Sequence, residues 1–113
     1  MPRGSTTPLD EEIKKELTTV KSMAEYIQRF AEKFAVGIKA PCVNFTRNYL
    51  RYYATLLLDT VIDIEFENSF EHFLNIREEL STLMDRVHVS FDSIFDDVDT
   101  VQYANFALNE VEL

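Results

Sequence analysis

The stretch RNYLRYYATLLLDTVIDIEF, Arg47 to Phe66, places large apolar side chains in nearly every direction of a helix. A helix of that kind calls for neighbours on several sides, so the other elements must pack around it. At about 100° per residue, Leu50, Tyr53, Leu57, Val61 and Ile64 share one face, and Phe45, Tyr49, Tyr52 and Leu56 widen it. The remaining strip is polar: Asn44, Asn48, Arg51, Thr55, Asp59, Asp63 and Glu67. Arg51, Asp59 and Asp63 break the run well short of the roughly 20 apolar residues of a membrane span, so the stretch reads as a central helix of a soluble protein.

Working outward, the 113 residues fit one domain with a real core, and 46% hydrophobic residues with only 2 Gly and 3 Pro exclude both a disordered chain and a turn-rich β-sandwich. Upstream, Ile13, Leu17, Val20, Ala24, Ile27, Ala31, Phe34 and Ile38 repeat at alternating four- and three-residue spacing, a heptad seam. Met23, Tyr26 and Phe30 widen it enough for packing against two neighbours. Thr7 is the predicted cap, Pro8 the first helical residue and Val36 the last, with Glu11–Lys15 and Glu25–Arg29 pairs on the outer face. Gly37 to Pro41 is a break short enough to make the first two helices an antiparallel hairpin.

Downstream, the second helix ends near Glu67, and Asn68 with Glu71 resembles a capping box for a third. Phe70, Phe73, Ile76, Leu80, Leu83, Val87, Phe91, Ile94 and Val98 mark its apolar face. Residues 87–95 also alternate as a strand would, but the helical face continues through them and helix is the expectation. Asp99 with Gln102 predicts a last short helix using Val101, Ala104, Leu108 and Val111. The predicted fold is thus all-α, an antiparallel helical bundle of three long helices plus a short C-terminal helix over residues 8–113, open to completion by a second copy. Residues 1–7 read as a disordered N-terminus in which Pro2-Arg3-Gly4-Ser5 resembles a protease-site linker.

Charge is the second strong signal. Residues 1–53 hold nine Lys/Arg against six Asp/Glu, residues 54–113 two against fourteen, and the whole chain is −9. Such a division predicts a molecular dipole, unless folding interleaves the halves, and favours a basic protein partner or head-to-tail self-association. It disfavours direct nucleic-acid binding, although Arg47, Tyr49, Arg51, Tyr52 and Tyr53 interleave bases with aromatics. The helical period draws those tyrosines into the core and leaves the arginines as isolated charges.

Two acidic rows are the candidate partner-binding residues: Asp59, Asp63, Glu67 and Glu71, then Asp85, Asp92, Asp96 and Asp99. In the first, acids on successive helical turns repel each other without a nearby Lys or Arg, a local cost that a basic partner would relieve and that a merely solvated face would tolerate. A di-metal carboxylate bundle needs paired Glu-x-x-His motifs, whereas only Asp85-x-x-His88 occurs, read here as an exposed pair, and His72 follows Glu71 directly. Cys42, the single cysteine, stands beside Pro41 at a helix start without any histidine placed near it, so it reads as a small packing residue. The Asn44-Phe45-Thr46 sequon sits at a predicted helix start and reads as chance. No cofactor, metal or small-molecule substrate is expected, no membrane span, and no secretory leader, which with the lone cysteine implies a cytoplasmic setting.

Three functional expectations follow from these residues. The first is a non-enzymatic interaction subunit that self-associates or docks on a basic surface. The second is an acidic inhibitor that imitates nucleic acid in a basic groove. The third, ranked last, is a small enzyme using clustered carboxylates.

Overall fold

The computed structural model describes residues 7–34 and 37–112, with side chains through Gln102. The expectations for residues 1–6 and for the side chains of Ala104, Leu108 and Val111 lie outside what it describes, while the predicted run of the first helix to Val36 is cut short, Lys33 being its last residue. Three helices follow in order: α1 (Glu11–Lys33), α2 (Pro41–Glu67) and α3 (Phe70–Glu112), without a strand among the described residues. They run up, down and up, with α2 packed against both neighbours, in a body of 77 × 20 × 20 Å.

The start of α1 is set by Asp10, not by Thr7. The Asp10 carboxylate accepts the Ile13 N–H at 2.9 Å, and Glu11 and Glu12 stand at the positive end of the helix dipole. The Thr7 carbonyl instead accepts the Phe70 N–H at 2.8 Å, tying the entering chain to the first residue of α3. At its other end α1 stops at Phe34, in extended conformation, and Gly37 adopts no positive φ, so no glycine cap is used. Pro41 opens α2 as expected, with Ala40 at the cap position.

The α2–α3 junction differs from the predicted capping box. Asn68 is the C-cap of α2, in the left-handed region at φ 46°, and its side-chain oxygen accepts the Leu9 N–H at 3.3 Å. Ser69 does the capping of α3, its hydroxyl accepting the His72 N–H at 3.2 Å. Asparagine tolerates a left-handed backbone better than most residues, and here the same side chain also fastens the N-terminal segment.

Helix α3 is continuous. Residues 87–95 are helical, and the predicted restart at Asp99 does not occur, because 43 residues to Glu112 form one helix. Neither Gly nor Pro interrupts it, and Asp99 needs no capping role inside an unbroken hydrogen-bond ladder. The fold is therefore three helices, not three plus one. Thr46 donates a hydrogen bond to Asp97, so Pro41 lies level with about residue 102, and roughly ten residues of α3 (~15 Å) run past the start of α2.

The core follows the predicted periodicity closely. Leu50, Leu57, Val61 and Ile64 of α2 are fully buried, joined by Val43 and Ala54, against Leu17, Ala24, Ile27 and Ala31 of α1 and Leu80, Leu83, Val87 and Ile94 of α3. Where α1 and α3 meet, the contact is aromatic: Phe30 lies 5.0 Å from Phe91 and Phe34 5.1 Å from Phe95, ring centre to ring centre. Lower down, the same two helices border an apolar cleft of about 530 Å³ lined by Ile13, Leu17, Val20, Phe73, Leu80 and Met84. Surrounding α2 on all sides was the expectation from its composition. With only two neighbours, its outer face instead leaves Phe45 71% and Phe66 84% exposed, with Tyr52 and Ile62 also in solvent.

Two substitutions test this account by equilibrium unfolding. Leu57→Ala removes a side chain from the centre of the core and is expected to cost about 2–5 kcal/mol. Asn68→Ala, which strains the left-handed backbone and loses the bond to Leu9, is expected to cost about 1–2 kcal/mol, with Asn68→Gly costing clearly less.

Candidate functional site

All eight acids named from the sequence are exposed. Asp59 and Asp63 stand on the outward face of α2, Glu67 at its last residue and Glu71 in the first turn of α3. One member of this row is partnered: Asp63 meets His72 Nε2 at 2.8 Å across the α2–α3 junction. Glu65, which the sequence reading passed over, pairs with Lys21 of α1 at 3.3 Å. Glu67, at the last residue of α2, faces the negative end of its dipole with no basic residue in that turn, whereas Glu71 stands at the favourable start of α3.

The second row lies farther along α3. Asp85, Asp92, Asp96 and Asp99 fall on one stripe by their spacing of 7, 4 and 3, while His88 pairs with Asp92 at 3.9 Å and not with Asp85. The first row runs down α2 to the α2–α3 turn and the second runs along α3 toward the far end of the bundle. The predicted dipole between chain halves does not persist in its simple form. Helix α1 is balanced, with five Lys/Arg and five Asp/Glu, whereas α3, lying parallel to it, carries two and ten. The imbalance runs across the bundle, not from one end to the other.

The structure adds a feature that periodicity assigned to the core. On the α3 side of α2, Phe45, Tyr49 and Tyr53 form a ladder four residues apart, with ring centres 6.2 and 4.5 Å from one rung to the next. Arg86 of α3 donates to the Tyr49 hydroxyl at 3.1 Å and lays its guanidinium over the Tyr53 ring at 5.4 Å. The hydrogen bond with Tyr49, then partial desolvation, holds the Tyr53 hydroxyl above its ordinary pKa, and the same Tyr49 hydroxyl raises that of Arg86. Tyr52 remains in solvent, and Arg47 is far from isolated, donating to Asn44 Oδ1 at 2.6 Å and toward the Phe34 carbonyl at 3.4 Å. A four-residue aromatic spacing on α2, opposite one of only two basic residues in α3, is the sequence signal that would have identified this cluster.

Among the described residues no group of His, Cys, Asp or Glu is arranged to hold a metal ion, and no helix is long and apolar enough to cross a membrane. Cys42 is exposed at the start of α2, so the expectation of a packing role for it is overturned. What the fold defines is an all-helical, three-helix antiparallel scaffold with an acidic third helix. Comparison with protein-family models, curated proteins and solved structures finds no match.

Raised in the folded state, Tyr53 favours its protonated form, so its contribution to stability is complete below the ordinary tyrosine pKa of about 10 and is lost as pH rises beyond it. Spectrophotometric titration of tyrosinate is expected to show a late-ionising phenol that Tyr49→Phe returns toward the ordinary value.

Proposed function

We propose that this chain is a non-enzymatic interaction subunit that meets a basic protein surface with the outer face of α2 and the acidic side of α3. The observation that carries the reading is the coincidence of large unburied apolar side chains with acids on the same outer surface. Phe45 and Val89, 71% and 63% exposed, stand in a region that also bears Asp85, with Asp92 and Asp96 farther along the same helix. Isolated exposed apolar residues are ordinary on any protein, but apolar side chains clustered with charge of one sign describe a contact surface with an apolar centre and a polar rim.

What supports a non-enzymatic role is that the acids stand in solvent instead of converging on an enclosed pocket. A nucleic-acid-imitating inhibitor is the second reading, favoured by the single exposed stripe of Asp85, Asp92, Asp96 and Asp99. The apolar side chains beside that stripe have no counterpart in a phosphate backbone, which puts the interaction subunit first. Displacement of the bound partner by duplex DNA, and indifference to Phe45→Ser, is the result that would reverse this order.

Zero-length carboxylate–amine cross-linking in cells that produce the protein tests the proposal. Links to lysines of another polypeptide, or of a second copy, are expected to concentrate on Asp59, Asp63, Asp85, Asp92 and Asp96. Links spread evenly over every exposed carboxylate, Glu11 and Glu12 of α1 included, would overturn it. Light scattering at about 50 and 500 mM salt separates the two kinds of partner, since an oligomer that survives screening is held by apolar contact between copies.

A further inference from the structure

The outer seam between α2 and α3 has a shape more specific than a charged face. Near the top, Phe45, Thr46 and Tyr49 from α2 and Val89, Ser90 and Ser93 from α3 border an open notch of about 190 Å³. An engineered cavity of about 150 Å³ takes a benzene ring, so the notch has room for one large apolar side chain. A second hollow of about 260 Å³, bordered by Asp85 and Arg86, adjoins it and shares Tyr49, Val89 and Ser90. One wall is preorganised: Tyr49, which lines both hollows, is held against the Tyr53 ring and by the Arg86 guanidinium, so it has little rotamer freedom to lose on binding.

Charge around the notch is predominantly negative. One cation, Arg86, borders the adjoining hollow and is held on two neutral tyrosines, against three exposed acids on the same stretch of α3. Asp85, Asp92 and Asp96 are exposed, and on α3 they lie on the solvent side of Val89 by helical position. Farther along the same outer face of α2 come Asp59 and Asp63. An apolar notch bordered by aligned acids is complementary to a helix with an apolar stripe flanked by Lys or Arg.

We infer that the α2–α3 seam docks a cationic amphipathic helix of a partner protein. One large apolar side chain of that helix enters the notch between Phe45, Tyr49 and Val89, and its Lys or Arg residues face Asp85, Asp92 and Asp96. This assignment rests on the interaction-subunit reading and names its surface and the chemistry of its partner.

A designed Leu/Lys amphipathic peptide with one Trp on its apolar face is the probe. The chain contains no Trp, so indole emission reports the peptide alone. A saturable 1:1 blue shift is expected, weakening as salt rises from about 50 to 500 mM. Phe45→Ser and Val89→Ser are each expected to weaken binding about tenfold, the size of losing one anchoring side chain. The triple change of Asp85, Asp92 and Asp96 to Asn is expected to weaken it at low salt and to flatten the salt dependence. These positions are exposed, and thermal melting verifies that each variant stays folded.

Equal binding of a scrambled peptide of identical composition would overturn the inference by reducing the contact to net charge. Unchanged affinity in the Phe45 and Val89 variants would also overturn it, placing the peptide elsewhere while leaving the interaction-subunit reading intact. A dimer that Phe45→Ser dissociates, with no peptide bound, would assign the seam to a second copy and overturn the cationic-helix occupant. Cross-links spread evenly over the surface, by contrast, defeat the broader reading whatever the peptide does.

Discussion

Burial of one stripe of α2 is the constraint on which the structure depends. Val43, Leu50, Ala54, Leu57, Val61 and Ile64 are all without solvent exposure, and they recur at helical spacing from the first turn to the last. Burying a large aliphatic side chain contributes roughly 1.5–3 kcal/mol, an upper figure because denatured chains already hide some surface. α1 and α3 are held in place largely by covering this stripe from its two sides, and they touch each other mainly through large rings such as Phe30 and Phe91. The two connections are short, so the antiparallel path follows once the stripe is covered.

The same constraint produces the outer surface. A helix with apolar residues over most of its circumference, flanked by two partners, must leave one side uncovered, and Phe45, Tyr52, Ile62 and Phe66 occupy that side. Acids share it at Asp59 and Asp63, and α3 adds Asp85, Asp92 and Asp96. Asp59 and Asp63 stand on successive turns, where like charges repel, and Asp63 is relieved by its pair with His72. Contact with a basic surface would offset both costs at once, exposing less apolar area and neutralising the row. Polar cross-links fall on both flanks of α2: Lys21 with Glu65 and Gln28 with Thr55 on the α1 side, Thr46 with Asp97, Tyr49 with Arg86 and Asp63 with His72 on the α3 side.

The candidate site was legible in part. Exposure of all eight acids follows from their position opposite the apolar faces, and it was readable from spacing alone. The aromatic ladder was not, because Tyr49, Tyr52 and Tyr53 continue the apolar stripe and periodicity cannot tell a core ring from one at the edge of a groove. Only the position of Arg86 on α3, brought level with Tyr49 by the antiparallel path, turns two half-buried tyrosines into a rigid wall. The pairing of His88 with Asp92 in place of Asp85 is a side-chain choice of the same kind, decided between partners one helical turn away on either side.

Helix existence, the buried stripes and the hairpin order were determined by the sequence itself, because a 3.6-residue period and a short connection are local properties of the chain. Tertiary structure decided the ends and the count. Asn68 closes α2 instead of opening α3 because its side chain meets the Leu9 N–H, a partner 59 residues away. Asp10 caps α1 while the Thr7 carbonyl is taken by Phe70, again across the fold. The number of neighbours around α2, two and not more, was decided only by packing, and it separates the residues that form the core from those that form the surface.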